Sequence, residues 1–195
     1  MKSFKYLLAL SFIFGSIHAH QSIIGKHQIV SSAKAPVYFA NYEHRIVKQE
    51  SNGKTLEIED GTVWKIYSGD RAIIKDWRVD DALLVSVNSS FHSWYSGYKY
   101  VITNSNTNES IRANIHLGPY TDEASVAKRI VSIRSNKINL SDGTSWKIDY
   151  LDVGTADNWA TNDCLIIGVN TSYIGSQNIL INVNLDNYVK AKKRN

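Results

Sequence analysis

The 195-residue chain contains one cysteine, two prolines and one methionine. A single cysteine, Cys164, excludes an intrachain disulfide framework and any metal site built from several cysteines. The scarcity of proline excludes a polyproline or collagen-like segment. No apolar run reaches the roughly 20 residues that a membrane-spanning helix needs. The remaining composition, 43% apolar and 21% charged residues, is that of a chain that buries a core.

The excess of basic residues is small, since 22 Lys and Arg face 18 Asp and Glu for a net charge of +4. Six of the bases lie near the two ends, namely Lys2, Lys5 and four residues within 190–194. Without these six, 16 bases face 18 acids and the body of the chain has a net charge of −2. A nucleic-acid reader needs a basic face within its folded body. We therefore expect no nucleic-acid partner, although the isoelectric point is near 9.0.

The N-terminal segment has the layout of a secretory signal peptide. Lys2 and Lys5 form a basic start, residues 6–15 form an apolar stretch, and Ala19 ends a short exit region. This stretch is too short to span a bilayer. The pattern predicts a signal peptide over residues 1–19 rather than a buried N-terminal helix. It also predicts a secreted or periplasmic protein with no transmembrane segment after cleavage.

A repeat is the strongest pattern in the chain. Asp60–Ile66, read DGTVWKI, recurs as Asp142–Ile148, read DGTSWKI, at an offset of 82 residues. The same offset continues without a gap and pairs Trp77 with Trp159, Asp81 with Asp163, and Leu83 with Leu165. Two tryptophans in register over such a length predict a tandem duplication.

The repeat also predicts the domain organisation. An extended lead over residues 20–40 precedes a first β module over 41–117 and a second over 118–191. A turn signal around residues 117–120 separates the two modules. The last residues, 192–195, are expected to form a basic tail.

Each repeat contains a predicted β-hairpin. Apolar residues alternate on both sides of the Asp-Gly pair, and a three-residue loop over 59–61 places Leu56 opposite Trp64. The same logic in the second copy puts Ile138 on the face of Trp146. Such a loop needs one residue with positive φ, which the glycine supplies.

The strand pattern predicts an all-β protein. About five short strands occur in roughly 70 residues of each copy, which is typical of a small antiparallel barrel or sandwich of the SH3-like or OB-like kind. We therefore predict a fold of two tandem modules of this kind. The segment between Ile66 and Trp77 could hold one helical turn over residues 71–75, but its counterpart over 152–157 is the poorer helix, so a loop or a 3₁₀ turn is expected.

The repeat has the form LxLxDGTxWKI, followed by a tryptophan and then by Asp-x-Leu. This pattern resembles repeats in small exported proteins of Gram-negative bacteria, including chlamydia-like intracellular ones. The resemblance covers most of residues 45–191. It implies a bacterial cell envelope and carries no function with it.

The sequence contains none of the familiar catalytic motifs. HExxH, GxSxG and Gly-rich phosphate loops are absent, so we predict no cofactor and no metal site. Cys164 aligns with Ala82 and is interpreted as a small core residue. Asp81 and Asp163 could form a carboxylate pair, but the favoured interpretation is that they cap backbone amides before a strand. Trp64 and its repeat counterpart are interpreted as core residues.

One aromatic segment occurs in the first copy only. Its residues Phe91, His92, Trp94, Tyr95 and Tyr98 have no aromatic-rich counterpart in the second copy. Rigid amphipathic rings in a loop are common contact surfaces, so these five are the candidate binding residues. The alternative is that the rings pack against the other module.

Together these patterns predict an exported, non-catalytic binding or structural module of the cell envelope. Its expected partner is an envelope polymer or protein. The alternatives are an envelope hydrolase or its regulatory subunit, and a host-directed adhesin or effector. A pocket that joined a histidine such as His116 to Asp81 would favour the hydrolase.

Overall fold

The computed structural model describes residues 43–90, 97–119 and 126–194, and almost every regular element in them is a β-strand. The prediction of an all-β fold is confirmed. The predicted signal peptide (1–19) and lead (20–40) lie outside the described residues. Within the described ranges, no helix is long and apolar enough to cross a membrane.

Six strands form a first closed barrel. They are β1 (His44–Gln49), β2 (Thr55–Ile58), β3 (Val63–Ile66), β4 (Ala82–Val87), β5 (Tyr100–Asn104) and β6 (Ser110–Leu117). Their order is β1-β2-β3-β6-β5-β4, and β4 pairs with β1 to close the ring. All neighbours are antiparallel. The barrel has one strand more than expected, and one more than an OB barrel.

A second set of strands closes in the same order. It consists of β7 (Lys128–Arg134), β8 (Lys137–Leu140), β9 (Ser145–Ile148), β10 (Cys164–Val169), β11 (Asn178–Asn182) and β12 (Asn187–Arg194). The order is β7-β8-β9-β12-β11-β10, and β10 returns to pair with β7. Closure leaves no free sheet edge in either ring.

The two repeated hairpins have the predicted register. Leu56 lies opposite Trp64, and Ile138 lies opposite Trp146. Gly61 and its counterpart in the second hairpin have φ values of 82° and 80°, the conformation that the three-residue loop requires. Local turn geometry and the alternation of apolar residues therefore suffice to set this register.

The predicted basic tail is wrong, because residues up to Arg194 belong to β12. Lys192, Lys193 and Arg194 lie opposite Lys147, Trp146 and Ser145 of β9. The strand continues because β9 would otherwise expose unpaired backbone groups along one edge. Ala191 fills the core while the basic side chains beyond it are exposed.

The segment after β3 has the expected structure, whereas the segment after β9 differs in part. The first contains 3₁₀ turns at Ser68–Asp70 and Ile73–Asp76, as expected. The second, expected to be the poorer helix, has a 3₁₀ turn at Tyr150–Asp152 followed by α1 (Val153–Ala156). Val153 and Ala156 pack on the second core, and this tertiary contact outweighs the low helix propensity of the glycine between them.

The two barrels belong to one compact unit and share apolar contacts. Strand β4 meets β10 in parallel, where Ser86 lies opposite Val169. Residues of β10 and β11 that point away from the second barrel pack into the first core, namely Cys164, Ile166, Ile179 and Ile181. Both faces of β10 are thus buried, which explains its nearly continuous apolar sequence.

The repeated tryptophans lie in the two cores. Trp64, Trp77, Trp146 and Trp159 are at most 6% exposed. The indole N–H of Trp77 donates to Glu109 (3.1 Å), and that of Trp159 donates to Asn187 (2.8 Å). The interpretation of Trp64 and Trp146 as core residues is confirmed, and Cys164 is buried as predicted.

Candidate functional site

A groove of about 680 Å³ lies between the two barrels. The segment leading into β5 lines one side with Tyr98, Lys99 and Tyr100. The turn before β12 and the start of that strand line the other side with Asp186 and Tyr188. The groove therefore requires the barrels to be side by side, and neither half of the repeat forms it alone.

Asp186 connects the two walls of the groove. Its carboxylate accepts a charged hydrogen bond from Nζ of Lys99, which also donates to the backbone carbonyl of Asp186 (3.0 Å). The hydroxyl of Tyr100 donates to Oδ1 of the same aspartate at 3.2 Å. Asp186 has a φ of 49°, in a turn where the side chain of Asn182 accepts two backbone N–H groups. The tight turn thus holds the carboxylate against the first barrel.

Two tyrosine hydroxyls on the groove stay protonated. Burial and the negative charge of Asp186 raise the pKa of Tyr100 far above its ordinary value. Burial and the charge of Asp152 also raise the pKa of Tyr188. The ring of Tyr100 packs edge-on against Trp64, with centroids 5.5 Å apart. The groove therefore carries the neutral, partly exposed Tyr188, while the hydroxyl of the buried Tyr100 is engaged by Asp186.

A stack of side chains supports Tyr98. Its ring meets that of Tyr67 edge-on at 5.3 Å, and the guanidinium of Arg112 lies 4.0 Å from the centre of Tyr67. Arg112 is held in turn by two hydrogen bonds to Asp70, of 2.9 and 2.7 Å. Burial alone would raise the pKa of Asp70, but these bonds lower it overall. Tyr98 thus presents a ring of fixed orientation.

The structure places one of the five predicted binding residues on this groove. Tyr98 is half-buried on its wall. The other four, Phe91, His92, Trp94 and Tyr95, lie outside the described residues.

Sequence reasoning missed the polar half of the site. Lys99 and Tyr100 stand next to the aromatic segment, which could have indicated them. Asp186 and Tyr188 carried no signal, because they are more than 80 residues away in sequence and meet Lys99 and Tyr100 only in the folded chain.

The described lining of the groove combines tyrosine side chains with one ion pair. Its described lining contains neither histidine nor cysteine, and Asp186 is already engaged by Lys99 and Tyr100. Asp152 accepts the backbone N–H of Lys190 at 2.7 Å. Among the described residues, no group of three or more His, Cys, Asp or Glu side chains is placed to hold a metal ion.

Asp81 before β4 and Asp163 before β10 have the predicted capping role. Asp81 accepts the backbone N–H of Arg78 (2.8 Å) and the side-chain amide of Asn104 (2.7 Å). Asp163 makes the equivalent bonds with Ala160 (2.9 Å) and Asn182 (2.7 Å). Each carboxylate is therefore used in its own barrel, and each stabilises the turn before a central strand.

Neither a scan against protein-family models nor searches of curated proteins and of solved structures found a match to this chain. The resemblance of the repeat to exported bacterial proteins stays a prediction.

Proposed function

We propose that this protein is an exported, non-catalytic binding module of the cell envelope, which holds an envelope polymer or protein in the groove between its barrels. Export is inferred from the N-terminal pattern of the sequence. The proposal also takes the repeat as a tandem duplication, from which the groove arises where the two copies meet.

One observation supports binding above all. Two partly exposed tyrosines, Tyr98 and Tyr188, line the same groove together with the Lys99–Asp186 ion pair, and the buried Tyr100 donates a hydrogen bond to Asp186. Aromatic faces with nearby hydrogen-bonding groups are the usual anchors of polymer and protein ligands, because they bury area at low conformational cost. A groove open to solvent can admit a segment of a polymer.

The test is retention of the full chain on isolated cell-envelope material, measured over a protein concentration series. Tyr188→Ala is expected to weaken binding about tenfold, since truncating an anchor of this kind costs more than 1 kcal/mol. Tyr173→Ala is the matched control: Tyr173 lies outside the groove and is 99% exposed. Equal retention of the two variants would refute the groove as the binding site.

The sequence-based prediction for the aromatic segment is tested in the same assay. Replacing Trp94 and Tyr95 with alanine should reduce retention without changing the thermal unfolding of the protein. Unchanged retention would remove this segment from the proposal. Release of soluble fragments from the envelope material by the wild-type chain would favour the hydrolase alternative instead.

A further inference from the structure

Four cationic side chains form a continuous row across the second barrel. Arg134 of β7 lies opposite Lys137 of β8, and Lys137 lies opposite Lys147 of β9. Lys147 lies opposite Lys192 of β12 in turn. Neighbouring strands are about 4.8 Å apart, so the row crosses three inter-strand steps and spans about 14 Å.

The row faces solvent. Its strand neighbours Ile138, Trp146 and Ala191 are buried in the second core, and side chains alternate between the two faces of a strand. Lys147 and Lys192 are exposed, as is Arg134 at the end of β7. The four charges are therefore presented outward, side by side.

Acidic side chains of the described residues do not pair with the cations of the row. Within the described ranges, no carboxylate lies within 4.0 Å of any of its four charged groups. Like charges placed directly opposite each other destabilise a sheet. An external anion that bound along the row would remove this repulsion.

The first barrel shows that the fold does not require such a row. The equivalent positions there are Glu50, Thr55, Lys65 and Asn114. Lys65 lies opposite Thr55 and Asn114, and the backbone N–H of Glu50 donates to Thr55. One acid and one base stand where the second barrel has four bases. The charge is thus a property of the second barrel alone.

A row of hydroxyl and amide groups lies beside the cations. Asn139 is opposite both Ser132 and Ser145, and Arg194 is opposite Ser145. The amide of Asn139 donates to Oγ of Ser132 at 2.7 Å. Oγ of Ser145 is buried and has no hydrogen-bond partner in the described part of the chain. The two rows contain no apolar and no aromatic side chain.

We propose that this face of the second barrel binds a linear acidic polysaccharide. The cationic row takes its carboxylates or sulfates, and the partly exposed Ser132 and Asn139 beside it take its hydroxyls. A membrane surface would call for apolar side chains beside the cations, and a single-stranded nucleic acid for aromatic stacking platforms. None of these residues lines the groove between the barrels, so the proposal is independent of the proposed function.

The test uses the full chain with polygalacturonate and dextran sulfate as probes and neutral dextran as the uncharged reference. The row variant combines Lys137→Thr and Lys192→Asn, which are the residues of the first barrel at these positions. The control variant combines Lys48→Thr and Lys75→Asn, which removes the same charge from exposed sites of the first barrel.

The row variant should bind both acidic probes at least tenfold more weakly than the wild type, with a weaker dependence on salt. The control variant should stay within twofold of the wild type, and neutral dextran should not bind. Circular dichroism and thermal unfolding establish that both variants are folded. The acidic probes should raise the melting temperature of the wild type but not that of the row variant.

Three results would overturn the proposal. An equal loss of affinity for the acidic probes in the row and control variants would show that the net charge of the protein alone attracts them. Tighter binding to phosphatidylglycerol vesicles than to both polysaccharides would identify a lipid surface as the partner. Tighter binding to a single-stranded oligonucleotide would identify a nucleic acid.

Discussion

The imidazole of His44 bridges Glu59 of the first barrel and the backbone carbonyl of Ile167 in the second barrel. Nδ1 of His44 lies 2.8 Å from Oε1 of Glu59, and Nε2 lies 3.0 Å from the carbonyl oxygen of Ile167 in the second barrel. Both partners are acceptors, so both ring nitrogens donate only when the imidazole is protonated. The ring is buried, and a charged hydrogen bond is strong in such surroundings.

The pKa values of this pair are displaced in opposite directions. Burial alone would lower the pKa of His44, but Glu59 and the carbonyl of Ile167 raise it above 6.5 overall. Burial would raise the pKa of Glu59, but the bond to His44 and its charge lower it below 4.5. The folded state therefore favours the ion pair.

The pair makes the stability of the protein depend on pH. The contribution of His44 is complete below its unfolded pKa of about 6.5 and is lost as pH rises through the higher folded value. That of Glu59 is present above about pH 4.5 and is lost as pH falls through its lower folded value. We expect a larger free energy of unfolding at pH 6 than at pH 9, measured by urea titration. His44→Gln should flatten this difference, and an unchanged pH profile in that variant would contradict the assignment.

Gly168 permits the close approach of the two barrels. A Cβ atom at this position would lie 2.5 Å from the carbonyl oxygen of Val85. Gly168→Ala is expected to lower the free energy of unfolding by about 1–3 kcal/mol, the usual cost of overpacking. The control is Gly154→Ala in α1, where a Cβ meets no atom within 4 Å. Alanine should stabilise that site by about 0.5–1 kcal/mol. Denaturant unfolding of both variants gives the comparison, and a neutral Gly168→Ala would refute the tight contact.

Trp146 is the largest fully buried side chain of the second core. Trp146→Ala should lower the free energy of unfolding by about 3–5 kcal/mol, because it leaves a cavity as well as losing apolar burial. Tyr150→Ala, at a side chain that is 90% exposed, should change it by less than about 0.5 kcal/mol. Native-like melting of Trp146→Ala would be incompatible with its place in the core.

Asp163 is expected to stabilise the second barrel through the same bonds that Asp81 makes in the first. Asp163→Ala leaves the amide of Asn182 without its partner, and Asn182 is fully buried. We expect a loss of about 1–3 kcal/mol in the free energy of unfolding. Asp157→Ala replaces an exposed aspartate nearby and should be close to neutral. An equal change in the free energy of unfolding for the two substitutions would show that the capping bonds of Asp163 do not stabilise the fold.

The hairpins show which features of this protein can be predicted from a short stretch of sequence. The loop between β2 and β3 needs one glycine with positive φ, and the alternation of Leu56, Ile58 and Trp64 allows one register only. Both facts lie within a dozen residues of each other, so the pairing was predictable. The burial of the repeated tryptophans follows from the same alternation.

The C-terminal residues show where local sequence fails. Lys192 to Arg194 have the composition of a solvated tail, but they complete β12 because β9, more than 40 residues earlier, has an edge to pair. The ion pair of Lys99 with Asp186 likewise joins residues whose neighbourhood in sequence contains no sign of each other. Contacts of this kind depend on how strands that are distant in the chain are ordered around a barrel.

The sequence by itself determined the all-β class, the repeat, the hairpin register and the identity of the core tryptophans, because each depends on short-range alternation and turn geometry. Only the tertiary structure decided the rest. It closed each set of six strands into a ring, brought Asp186 to Lys99, and aligned four basic residues from four strands into one row. The physical reason is that backbone pairing between distant strands sets which side chains become neighbours. In this chain with one cysteine and two prolines, strand order therefore forms both proposed binding surfaces, and no intrachain disulfide is available to hold them.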